Sequence, residues 1–146
     1  MDRASLYLAM VLALLRVEEG VAFSRAVGAN LEGCDVGALK ASLLRVDYDP
    51  VTRSLLPKAI TEFYEEAGFE ALEEPDSLVT MLAFMAQLTK NEDVESIKRQ
   101  HRFLRVHLIP TLARAVEICE GLKQFLEIII EDAESIKQEL IAEPKV

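Results

Sequence analysis

Acidic side chains crowd one stretch of this chain and mark where its chemistry lies. Between Glu62 and Asp76 stand seven carboxylates (Glu62, Glu65, Glu66, Glu70, Glu73, Glu74 and Asp76) and no lysine or arginine. Like charges this close repel one another unless a cation sits beside them. A ligand bearing arginines supplies one through two-pronged guanidinium–carboxylate hydrogen bonds. The chain's own basic stripe, Lys98, Arg102 and Arg105 at i, i+4 and i+7, supplies another. On sequence alone both partners stay open.

Residue types suited to catalysis are sparse. The two histidines, His101 and His107, do not form the paired E-x-x-H spacing of carboxylate-bridged di-metal bundles. The sequence contains no H-E-x-x-H, G-x-S-x-G or phosphate-binding glycine loop. The expectation is therefore a protein that is not an enzyme, with no cofactor and no metal. Cys34 and Cys119 stand far apart, outside any C-x-x-C pair, and read as small buried apolar residues rather than a zinc site or a disulfide framework.

Two motif stretches are more specific. Glu74-Pro-Asp-Ser leads into Leu78-Val-Thr-Met-Leu-Ala-Phe-Met-Ala-Gln-Leu88, and Phe103-Leu-Arg-Val-His-Leu-Ile-Pro110 closes a second helical pattern. Together they resemble the signature of the TorD/DmsD/NarJ family, the all-helical cytoplasmic chaperones that mature molybdenum redox enzymes. The resemblance rests on Glu74, Pro75, Asp76, Leu82, Phe84, Leu88, Phe103, Leu104, His107, Leu108 and Pro110. Ser77 stands where that family often has histidine, and Thr111 where it often has tryptophan. A serine hydroxyl accepts a hydrogen bond but cannot change charge near neutral pH as an imidazole does. The segment before the acidic motif is also compact beside typical members.

The resemblance implies a peptide site at Glu74, Asp76, Ser77, His107 and Pro110, taking the twin-arginine leader of a molybdopterin-containing oxidoreductase subunit. Plain structural roles stand beside it. Asp76 opens a helix, where a carboxylate accepts unpaired backbone N–H groups. Pro110 leaves the Val106 carbonyl without its helical donor, and the His107 imidazole is positioned to fill that role.

The elements that must carry these residues are helices throughout. A first helix covers about 5–17, a second 21–29 and a third 38–46, the last ending before Asp49-Pro50. A fourth, 51–67, stops at Gly68, with Pro57 marking a kink or a restart capped by Ser54. The fifth, 77–90, has no charge between Asp76 and Lys90 and is apolar on nearly every face, which places it at the centre of a bundle. A sixth runs from Asp93 to Leu108, where Pro110 interrupts it, and 111–119 is helical again. The last carries a clean stripe: Leu122, Leu126, Ile129, Ala133, Ile136 and Leu140. The expected architecture is an all-α, single-domain bundle of about seven helices over 1–146.

Composition agrees. The chain has 146 residues, 51% of them apolar, enough to remove about two-thirds of the unfolded surface from water. A net charge of −9 opposes nucleic-acid binding, which needs a basic face, and favours a cationic partner or plain solubility. The apolar run Leu6–Leu15 is followed at once by Arg16, Glu18 and Glu19 without a small-residue cleavage site. It reads as a buried first helix, too short to span a bilayer, so no stable membrane insertion and a cytoplasmic location are expected. The expected function is a non-catalytic chaperone that binds its client's N-terminal leader before export. The alternative is a helical assembly or regulatory module that binds another folded protein.

Overall fold

Helix-capping side chains set the starts of several elements in this computed structural model, which describes residues 1–142. Asp2 accepts the Ser5 N–H at 2.7 Å and opens α1 (Arg3–Leu14). Arg16 adopts a left-handed φ of 60° and turns the chain into α2 (Glu18–Ala26). The two helices cross so closely that a Cβ on Gly20 would overlap the backbone of Leu12 and Ala13. The central part of the chain is short pieces: α3 (Ala41–Leu44), α4 (Pro50–Ser54) and α5 (Leu56–Glu66). Then come α6 (Leu78–Leu88), α7 (Val94–Phe103), α8 (Ile109–Val116) and α9 (Lys123–Ala142). Among the described residues the fold is all-α, with no strand. Residues 143–146 of the expected single domain lie outside the described residues.

The central helix is the one its composition marks. In α6, Leu78, Met81, Leu82, Phe84, Met85 and Leu88 are all buried, and α1 packs along it. Phe84 lies among Tyr64, Phe69 and Phe103, with ring centroids 4.7, 5.3 and 4.8 Å away. The stripe of α9 buries Ile129 and Ile136 against α7 and α8, together with Phe125, which lies beside the expected spacing. One polar network ties the outer helices to this core. Arg3 grips Asp132 with two nitrogens at 2.7 and 2.8 Å, and the Tyr7 hydroxyl donates to the same carboxylate at 2.6 Å. Arg3 also donates to Gln100, whose amide reaches the Leu88 and Asn91 carbonyls.

Three expectations change. The break at Pro57 falls at Leu55, so α4 and α5 are separate helices. Ser54 does not cap the restart, because its hydroxyl donates back to the Val51 carbonyl. Pro110 does not end its helix either. Residues 104–108 form a π turn in which the Ile109 N–H bonds to the Leu104 carbonyl, five residues back, and α7 passes unbroken into α8. The wider turn accommodates the proline ring. Finally, Cys34 and Cys119 are not free thiols: they form a disulfide across 85 residues, with Cα atoms 5.4 Å apart. Topology brings them together where no local spacing could show it.

Candidate functional site

The linker Glu74–Ser77 is held from three sides. The Tyr64 hydroxyl donates to the Pro75 carbonyl at 2.6 Å. Lys40 pairs with Glu74 and bridges Ser77 in an isolated antiparallel contact. The Leu78 N–H donates to the Leu39 carbonyl at 2.8 Å. Asp76 is 4% exposed. One of its carboxylate oxygens accepts the Ser42 N–H at 2.8 Å, and its main-chain carbonyl accepts the Ala41 N–H at 3.0 Å. Asp76 therefore caps α3, not the helix it precedes. At the start of α6, Ser77 is the N-cap and makes no side-chain hydrogen bond. The Asp76 charge, second to burial, pushes the Tyr64 hydroxyl well above its ordinary pKa.

The second motif stretch is anchored by the other end of α3. Arg45, 4% exposed, donates from Nη1 to the Val106 carbonyl at 3.2 Å. Its Nε and Nη2 hold Asp47 at 3.0 and 2.9 Å, and the guanidinium lies 4.7 Å over the Tyr48 ring. Hydrogen bonds from Arg45 lower the Asp47 pKa, and Arg114 from α8 approaches the same carboxylate at 3.9 Å. Val106 is the carbonyl that Pro110 deprives of a donor, so Arg45 takes the role that the sequence offered to His107. The imidazole instead packs edge-on against Phe63, 5.2 Å between centroids, and beside Phe103. Burial first, then Arg45, lowers the His107 pKa to about 4, so it is neutral at neutral pH. Its Nδ1 and the hydroxyl of fully buried Thr111 have no hydrogen-bond partner in the described structure.

The five residues expected to form one peptide site thus divide. Glu74 is exposed, and Ser77 and Pro110 are half-buried, while Asp76 and His107 are interior. The motif stretches meet through α3, one at each end. Sequence reasoning passed over Arg45; its signal was an arginine two residues from Asp47 and three from Tyr48, all three able to bind one another.

The acidic run is only partly neutralised by the chain's own cations. Of the expected basic stripe, Arg102 meets Glu66 at 3.3 Å and lies 5.1 Å over the Phe63 ring, whereas Lys98 pairs with Glu95. Among the described residues, Glu62, Glu65, Glu70 and Glu73 form no salt bridge. Glu65, Glu70 and Glu73 line one cavity of about 390 Å³ with Tyr64, Phe69 and Pro75. Gly68, at φ 71°, ends α5 and lets Phe69 fold back on Tyr64 at 5.1 Å, forming an aromatic wall. Among the described residues, no three of His, Cys, Asp and Glu gather in a metal-holding group, and no helix is long and apolar enough to cross a membrane.

Residues 51–117 match the model of the nitrate reductase delta subunit family. That family is of the NarJ/TorD type, chaperones of molybdoenzymes. The span runs from α4 to the residue after α8 and contains both motif stretches. It supports a role in molybdoenzyme maturation.

Proposed function

We propose that this protein is a cytoplasmic, non-catalytic chaperone that binds the N-terminal twin-arginine leader of a molybdenum oxidoreductase's catalytic subunit before export. The observation that carries the reading is the groove between α5 and the acidic linker. Its three carboxylates, which form no salt bridge among the described residues, stand around an aromatic wall, the environment a guanidinium pair requires: two-pronged acceptors and a ring face. Glu74 and Ser77, on the linker that supplies the lining residues Glu73 and Pro75, contact the leader. Asp76, His107 and Pro110 set the frame on which that linker stands.

The test is calorimetry with a synthetic leader carrying two adjacent arginines and an apolar run. Binding to the wild type, and at least about tenfold weaker binding to Glu70→Gln/Glu73→Gln, is the expected result, since charge-assisted hydrogen bonds are worth roughly 1.5–3 kcal/mol each. Equal affinity in both would remove the groove from the mechanism.

A second reading, a module that docks on another folded protein, is favoured by one feature. Leu43, Val46, Val51 and Leu55 are all exposed around α3 and α4, and α4 buries none of its residues. Binding of a folded client lacking its leader, with no binding of the leader alone, selects this reading.

A further inference from the structure

The disulfide lies outside both the acidic groove and the family match, since Cys34 precedes residue 51 and Cys119 follows residue 117. Its two halves sit in different surroundings. Cys119, just past α8, is 4% exposed, whereas Cys34, in the loop after α2, is half-buried. Both line a cavity of about 470 Å³ with Asn30, Glu120 and Lys123. A small thiol entering that cavity meets Cys34 as the accessible partner.

The bond stands at one end of a strap. From Cys34 the chain passes through a single 3-10 turn, Val36–Ala38, which buries no residue, and reaches Leu39, Lys40 and Ala41. These three hold the acidic linker: Leu39 accepts from Leu78, Lys40 pairs with Glu74, and Ala41 donates to Asp76. Leu39 and Ala41 are buried in the core, but residues 35–38 between them and the disulfide bury no side chain, and such a segment is ordered by what fixes its ends. One end here is a hydrogen-bonded ladder, and the other is covalent, attached to the end of the helix that carries Pro110. The adjoining chains also meet without the bond, because a Cβ on Gly121 would overlap the Asn30 carbonyl. Opening the disulfide therefore frees the strap and leaves the bundle assembled.

We propose that Cys34–Cys119 is a thiol–disulfide exchange site for a dithiol reductant, and that its state sets how firmly the strap Cys34–Ala41 grips the acidic linker. A reductant thiolate attacks the Cys34 sulfur, the S–S bond breaks, and Cys119 departs as a thiolate that takes up a proton. The reductant's second thiol then attacks its own sulfur in the mixed disulfide and releases Cys34. Two electrons pass to the protein, and the reductant leaves as a disulfide. The reverse exchange with an oxidised dithiol closes the site. This inference does not rest on leader binding.

Amide hydrogen exchange and alkylation of the full chain test it, with dithiothreitol as the reductant. In the oxidised protein neither sulfur should react with iodoacetamide; after reduction Cys34 should react before Cys119. Reduction should speed exchange at Ala41, Ser42 and Leu78 by at least about tenfold, as loss of a long cross-link permits, while the amides of α6 from Leu82 to Leu88 keep their rates. The double variant Cys34→Ser/Cys119→Ser should exchange like the reduced protein. Two sulfurs that alkylate without reductant, a bond that dithiothreitol cannot open in the folded chain, or unchanged exchange at the three amides in reduced protein and variant would each overturn the proposal.

Discussion

Arg45 donates to the Val106 carbonyl across 61 residues of sequence, and that oxygen is free because Pro110 has no N–H to give it. The pair joins the end of α3 to the π turn between α7 and α8. Arg45→Ala removes this donor and strips Asp47 of its partner. A loss of about 2–3 kcal/mol in urea unfolding is expected, the cost of leaving a carbonyl and a charge without hydrogen bonds. Arg45→Lys should recover only part of it, since lysine lacks the planar fork. A loss below about 0.5 kcal/mol for the alanine variant would mean that another donor serves Val106.

Asp76 holds the opposite end of α3, and its conservative and radical replacements should separate. Asparagine still accepts from the Ser42 N–H, so Asp76→Asn should cost well under the roughly 1 kcal/mol of a lost cap, whereas Asp76→Ala should cost about 1–2 kcal/mol. Leader affinity should change little in Asp76→Asn, because the carboxylate faces Ser42 and not the groove. A tenfold loss of affinity with unchanged stability would instead put Asp76 in contact with the peptide.

His107 predicts a pH dependence. Its folded pKa, about 4, lies below the ordinary value near 6.5, so the unfolded chain binds the extra proton first on acidification. The stability from its neutral burial is complete above about pH 6.5 and is lost as pH falls toward 4, by at most roughly 3 kcal/mol. Paired carboxylates add their own acid dependence, so the comparison must be with His107→Phe, which keeps the aromatic packing. The urea midpoint of the variant should fall less between pH 7 and pH 4 than that of the wild type. Parallel curves would refute the assignment.

Phe84 tests the central helix. At 1% exposure among three aromatic rings, Phe84→Ala should destabilise by about 3–5 kcal/mol. A loss below about 1 kcal/mol would place the side chain outside the core.

Salt separates the groove from the frame. Leader affinity should fall as ionic strength rises, because carboxylate–guanidinium attraction at an open groove is screened. Replacing both leader arginines with lysines should weaken binding further. A salt-independent affinity would point to the leader's apolar run as the sole contact.

The helices were legible where periodicity is strong. The charge-free run before Lys90 identified α6, and the apolar stripe identified α9. Boundaries slipped where proline chemistry had two solutions: Pro57 split a helix, while Pro110 was absorbed by a π turn that no sequence period announces. The candidate site was legible as positions but not as roles. Asp76 was read as the cap of its own helix because capping is local in sequence, yet its partner, Ser42, lies 34 residues back. His107 was read as the carbonyl's partner for the same reason, and the distant Arg45 supplies it. The disulfide was invisible on the same ground, since each cysteine stands alone in its own neighbourhood.

The π turn at 104–108 acts as a phase shifter. Each residue of an α-helix advances the side-chain direction by about 100°, so the inserted residue rotates everything after it by one such step relative to α7. That offset lets Phe103 face the aromatic core while Arg114 reaches Asp47 beyond α3, and it brings Cys119 round to Cys34. Deleting one residue from the turn would remove that offset and set those downstream partners out of step.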